Sequence, residues 1–86
     1  MAKIKRSFVV SILSEQEPYY YGDCSALTVP TQGDTITILP QHTPIIAKLG
    51  KGQIVIYSGR ERSVIPDVTG GLLYVGEDEV TVLVNL

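Results

Sequence analysis

Residues 70–86 read GGLLYVGEDEVTVLVNL, two apolar runs on either side of a short acidic turn. In the second run Val80, Val82 and Val84 alternate with Thr81 and Leu83, the period of two that a β-strand requires. Gly70-Gly71 opens the first run, Leu72-Leu73-Tyr74-Val75, and Gly76-Glu77-Asp78 turns the chain into a strand from Glu79 to Leu86. Sequence such as VTVLVNL is aggregation-prone when it lies at an open edge. No polar tail follows it, so this strand has to be paired and covered. The rest of the chain must supply the sheet.

Suitable strands recur upstream. Phe8, Val10 and Ile12 alternate with Val9, Ser11 and Leu13, as in a strand with one deeply buried face. Glu15-Gln16-Glu17-Pro18 reads as a turn, because Pro18 fixes its own φ and biases Glu17 toward extended backbone. Tyr19-Tyr20-Tyr21 then runs into Gly22-Asp23, a second turn signal. Ser25 to Val29 is a strand that stops at Pro30, and Thr31-Gln32-Gly33-Asp34 is a turn. Thr35 to Leu39 alternates Thr with Ile, and Ile45 to Leu49 is closed by Gly50-Lys51-Gly52. Gln53 to Tyr57 and Arg62 to Ile65 flank Ser58-Gly59-Arg60-Glu61, a hairpin connection, after which Pro66-Asp67 breaks the pattern. No helical period holds over three turns. About eight to ten short strands at intervals of roughly 8–12 residues predict an all-β fold, an antiparallel sandwich or barrel. No repeat or linker divides the chain, so residues 1–86 form one domain.

Composition narrows the function classes. At 86 residues the chain buries only about 60% of the surface that its unfolded form exposes. The 44% of apolar residues still build a core, mostly from Val, Ile and Leu, since there is one Phe and no Trp. The net charge of −2, with signs mixed and no basic tract, argues against a nucleic-acid surface. The single cysteine, Cys24, excludes an intramolecular disulfide and suits a reducing compartment. MAKIKRSFVVSILSEQ has the basic-then-apolar order of a signal peptide, but its apolar run is short, is interrupted by Ser11 and lacks a small-residue cleavage site. No window approaches the ~20 apolar residues of a membrane span. A soluble, cytoplasmic protein is expected.

Candidate catalytic residues lack partners. His42, the only histidine, stands in TILPQHTPII at residues 37–46, and imidazole is the side chain best suited to proton transfer near neutral pH. An active base needs a nucleophile, an orienting group or a polarising group. Only Gln41 and Thr43 are polar nearby, and neither orients an imidazole as a carboxylate would, so a structural or interface role is favoured. Cys24 follows Asp23, whose charge raises the thiol pKa, which favours a small buried residue over a nucleophile. One His and one Cys give no spaced ligand cluster, so no metal is expected. The carboxylates Glu15, Glu17, Glu61, Glu77, Asp78 and Glu79 sit mostly at turns, where a solvated role is the default. Gly70-Gly71 leads into a strand and lacks a following helix with Lys-Ser or Lys-Thr, so it marks a positive φ or a bulge rather than a phosphate loop. Alternation places Tyr20 inside, with Tyr19 and Tyr21 on the other side as a contact surface or an edge cover.

The ordered set of motifs resembles the N-terminal β-sandwich domain of the epsilon subunit of F-type ATP synthase. The residues that carry it are Tyr20-Tyr21-Gly22, Val29-Pro30, Gly33 and Ile38-Leu39-Pro40-Gln41-His42-Thr43-Pro44. They continue through Leu49, Gly52, Gly70-Gly71-Leu72-Leu73-Tyr74-Val75 and Glu79-Val80-Thr81-Val82-Leu83, without an obvious insertion. The resemblance implies a flattened sandwich of about ten strands in the central stalk of a proton-translocating synthase. It implies no catalysis and no cofactor, but contacts with the gamma subunit and with the c-ring at the cytoplasmic face of a bacterial inner membrane. Carried over by position, Ser14, Gln41, His42, Thr43 and Ala47 match the gamma-facing side, and Gln32, Gly33, Asp34 and Thr35 match the turn facing the c-ring.

Two positions depart from the family pattern, which has Gly at Gln41 and Ala at Thr43. Gln41 argues against a positive φ there. The chain also stops at Leu86, where the family's helical hairpin would begin, which implies coupling and assembly without an inhibitory arm or nucleotide site. A naturally short subunit and a truncated one both fit. The alternative function is a stand-alone β-sandwich that recognises another protein or a carbohydrate through Tyr19, Tyr21 and Tyr57. A hydrolase built on His42 and Cys24 is a third reading.

Overall fold

A computed structural model of the chain describes residues 6–15 and 18–86. Among these residues nine strands form two layers and no helix occurs. They are β1 Phe8–Ser14, β2 Pro18–Cys24, β3 Ala26–Pro30, β4 Thr35–Ile38, β5 Ile45–Leu49, β6 Gly52–Ser58, β7 Glu61–Val68, β8 Gly70–Val75 and β9 Glu79–Asn85. The first sheet, sheet A, has the order β2-β1-β9-β8-β5, and the second, sheet B, the order β4-β3-β6-β7. The all-β sandwich expected from the sequence is therefore the fold.

The core lies between the layers and follows the alternation in each strand. Val10 and Ile12 of β1, Leu73 and Val75 of β8, and Val80, Val82 and Val84 of β9 point inward from sheet A. Leu27, Val29, Ile38, Ile54, Ile56 and Ile65 meet them from sheet B. Each fully buried aliphatic side chain stabilises the fold by about 1.5–3 kcal/mol before entropy is subtracted. The last strand, β9, occupies the centre of sheet A, between β1 and β8. That satisfies both of its edges, but its outward side chain Leu83 stays 46% exposed, so one face is left uncovered.

The structure corrects several local expectations. The sheets are not wholly antiparallel, because β1 and β9 run parallel, with Ile12 opposite Val82. The chain enters and leaves sheet A on adjacent strands, and everything between them serves as the long connection that parallel neighbours require. Gly22-Asp23 is not a turn but part of β2, paired with Val10 and Val9. The turn comes later, at Ser25, whose N–H and hydroxyl both donate to the Tyr57 carbonyl and steer the chain into sheet B. Pro66-Asp67 does not end its strand either. Gly52 pairs with Val68 and Ile54 with Ile65, so Pro66 and Asp67 bulge opposite Gln53, with Asp67 at φ 60. As β7 is an edge strand, the missing proline N–H costs no ladder bond there. In the turn expected at residues 15–18, Gln16 and Glu17 lie outside the described residues, and Pro18 already begins β2.

Gly71 is the glycine that the packing demands. It adopts φ 136, and a Cβ there would collide with the Leu83 carbonyl oxygen of the neighbouring strand. The positive-φ reading of Gly70-Gly71 is thus confirmed, and its physical cause is the close approach of β8 to β9.

Candidate docking site

The loop of residues 39–44 joins β4 of sheet B to β5 of sheet A, and Pro40 and Pro44 bracket its turn. The His42 N–H donates to the Leu39 carbonyl at 3.2 Å, closing the turn. Gln41, at its apex, has φ 64. The expectation that a glutamine here avoids positive φ is therefore wrong: the turn dictates a left-handed residue and Gln41 takes the strain, about 1 kcal/mol or more for a side chain with a Cβ. His42 Nδ1 lies 2.7 Å from the Thr43 carbonyl oxygen. A carbonyl can only accept, so Nδ1 is the donor in this contact.

A shallow cleft beside this loop is lined by Gln41, His42, Thr43, Pro44, Glu77 and Asp78. Glu77 and Asp78 belong to the β8–β9 turn, which the Gly76 N–H closes by donating to the Glu79 carbonyl at 2.9 Å. Cys24 lines neither this cleft nor the narrow one behind it. It is 1% exposed inside the core, and burial, with Asp23 adding a smaller effect, pushes its thiol from the ordinary 9.0 up to about 11. This is an inert, buried cysteine. Along the sequence His42 has only Gln41 and Thr43 as polar neighbours, and the fold adds Glu77 and Asp78 to its cleft.

The turn of residues 31–34 lies at the other end of β4. Thr31 and Asp34 hold it from both sides: the Thr31 N–H donates to the Asp34 carbonyl at 2.6 Å, and the Asp34 N–H donates to the Thr31 hydroxyl at 3.1 Å. The Asp34 carboxylate accepts from the Thr35 N–H at 2.8 Å. Gln32, Gly33, Asp34 and Thr35 are all exposed. A Cβ on Gly33 would meet open space, so no packing at that position demands a glycine.

The residues matched by position to a gamma-facing side do not form one cluster. Gln41, His42 and Thr43 lie together on the loop. Ala47, on β5, points inward and packs against the core. Ser14 pairs with Val84, Val84 with Gly71, and Gly71 with Leu49. That row sits at the far end of sheet A from Ile45 and the loop. The two remaining tyrosine expectations also separate: Tyr20 packs on the core while Tyr19 and Tyr21 face out from β2, and half-buried Tyr57 lies on β6 in the other sheet.

Between the loop and Ser14 runs the outer face of sheet A, which includes Tyr21. Leu13, Leu83, Leu72 and Lys48 form one row across it. Tyr21, Ser11, Thr81, Tyr74 and Ile46 form the next. Ile46 is 72% and Tyr21 75% exposed. Alternation alone could place these residues opposite the buried valines, but not say that the described residues form no third layer over them.

The described residues thus form a two-layer β-sandwich with hydrogen-bonded turns at both ends. The chain belongs to the family described as ATP synthase, Delta/Epsilon chain, beta-sandwich domain, which it matches over residues 7–86. ATP synthase epsilon chains of Thioalkalivibrio sulfidiphilus and Nitrosospira multiformis are 38% and 33% identical to it, over 92% and 91% of this chain and 57% and 56% of theirs. The epsilon chain of Micrococcus luteus is 36% identical over 85% of this chain and 80% of its own. The chain thus spans little more than half the length of the first two relatives. Among solved structures, a chain of the Euglena gracilis mitochondrial ATP synthase superposes with a TM-score of 0.85 at 17% identity, covering 96% of this chain and 53% of that one. A chain of the Tetrahymena thermophila mitochondrial ATP synthase central stalk and c-ring structure gives 0.75 at 19% identity, covering 96% and 66%. At such identities these two establish the shared fold.

Proposed function

We propose that this domain is a non-catalytic rotor element of a proton-translocating F-type ATP synthase that joins the c-ring to the gamma subunit. The observation that carries this reading is the placement of the two exposed turns. Residues 32–35 and residues 41–43 sit at opposite ends of β4, about 15 Å apart along the strand direction. In the proposed arrangement Gln32, Gly33, Asp34 and Thr35 meet the ring and Gln41, His42 and Thr43 meet gamma. Ala47 supports β5 from within, and Ser14 joins the gamma set where that partner spans the length of sheet A.

A close-packed sandwich between two contacts passes force with little deformation, because such interiors have low compressibility. The prolines flanking His42 reduce the entropy lost when the loop is immobilised against a permanent partner. The domain would then sit peripherally, at the cytoplasmic face of a bacterial inner membrane, held there through the complex. Among the described residues no helix is long and apolar enough to cross a membrane.

The test is reconstitution with gamma and a complex depleted of its epsilon chain. Binding to gamma and recovery of proton-coupled ATP synthesis are expected; absence of both sinks the reading. His42→Ala should weaken gamma binding about tenfold while leaving urea stability within about 0.5 kcal/mol. Equal losses in both would make His42 a core residue.

A further inference from the structure

We propose that, away from its partner subunits, this chain pairs with a second copy of itself through the outer face of sheet A. The exposed parts of Leu13, Tyr21, Ile46, Leu72, Tyr74 and Leu83 amount to about 600 Å2, at the upper end of what a monomer leaves bare. Two such faces bring ~1,200 Å2 together, the lower bound for a stable specific interface. The outer face of sheet B is less apolar: the row Thr37, Thr28, Val55 and Val64 crosses it, Thr28 and Thr37 join their hydroxyls at 3.1 Å, and of the two valines only Val64 is exposed.

The charges on the face favour a second copy. A two-fold contact has to be complementary to itself. Lys48 stands at one corner, at the β5 end of the leucine row. Asp23 stands at the diagonally opposite corner, at the β2 end of a row that runs through Val9 to Glu79. Lys48 apart, the leucine and tyrosine rows are neutral, and the row of Asp23 carries one further exposed charge, Glu79 on β9. A two-fold axis along the other diagonal sets Lys48 of each copy against Asp23 of its mate, twice, with the apolar rows meeting between them. The strands of the two copies then cross near right angles, one of the two ways in which sheets stack face to face. The contact is separate from the proposed rotor role but excludes a gamma subunit that spans sheet A, so assembly would exchange one cover for the other.

Sedimentation equilibrium of the chain, loaded from the low micromolar range to about 1 mM, tests this. A reversible monomer–dimer equilibrium is expected. Ile46→Glu and Leu83→Glu should each raise the dimer dissociation constant at least about tenfold with unchanged thermal melting. Lys48→Asp should weaken the dimer, and Lys48→Asp combined with Asp23→Lys should restore it. A chain that stays monomeric throughout overturns the proposal, as does a dimer indifferent to Ile46→Glu. A dimer that the charge swap fails to restore overturns the two-fold arrangement. Failure to bind gamma would sink the rotor reading and leave the dimer standing, and a monomeric free chain would do the reverse.

Discussion

Gln41 and Gly71 show backbone geometry governing residue choice in opposite ways. Gln41 carries a Cβ at φ 64, where glycine is unstrained. Gln41→Gly should stabilise the fold by up to about 1 kcal/mol in urea denaturation, less the entropy that glycine adds to the unfolded chain. Gln41→Val, with a branched Cβ, should destabilise it. Gly71→Ala should cost about 3 kcal/mol or more, or prevent folding, because the new Cβ meets the backbone of Leu83. Gly33→Ala, with open space around it, should change stability by less than about 0.5 kcal/mol. Cys24 supplies a pH dependence. Its folded pKa is raised from 9.0 to about 11, so above pH 9 the unfolded chain releases this proton before the folded one does. Stability is then fully present below pH 9 and falls by roughly 2–3 kcal/mol between pH 9 and 11. Cys24→Ser, whose hydroxyl does not titrate there, should abolish that part of the slope in denaturation curves taken across the interval.

At the scale of elements, β9 decides the integrity of sheet A. It is bonded on one side to β1 and on the other to β8, so it closes the contact between the two ends of the chain. Val82→Ala should cost about 2 kcal/mol through lost burial and the cavity left behind. Leu83→Ser, on the exposed side of the same strand, should cost under about 0.5 kcal/mol. Urea denaturation of both variants measures the contrast; similar losses would mean that the outer face is packed in solution. The alternation in VTVLVNL foretold this division of faces. It did not reveal the parallel partner, because pairing with β1 joins residues more than sixty positions apart and no local signal encodes it.

At the scale of the molecule, two sheets with different outer faces make a one-sided object. Sheet B presents mostly threonines and charged side chains to solvent, with Val64 as an exposed apolar residue, whereas sheet A presents leucine, isoleucine and tyrosine. Apolar cover over sheet A should therefore show as slowed amide exchange when a partner binds, with sheet B unchanged. Equal protection of both sheets would mean a general tightening of the fold. Both proposed contact turns lie on the connections that β4 makes to its neighbours, so their separation is set by strand length and not by loop flexibility.

The sequence by itself determined the strands, their inward faces and most turns, since period-two alternation and Gly, Pro and Asp punctuation act within a few residues. It also carried the family and drew attention to His42 between its two prolines, whereas only the fold brings Glu77 and Asp78 into the cleft beside it. Tertiary structure alone decided what depends on distant neighbours. It ran β7 through Pro66-Asp67 because an edge strand can bulge there, and it forced Gln41 into a left-handed turn because β4 and β5 must meet across the sandwich. It set Ser14 and His42 at opposite ends of one sheet. Among the described residues it also left the face between them uncovered, because two layers are enough to bury the valines of β9 on one side only.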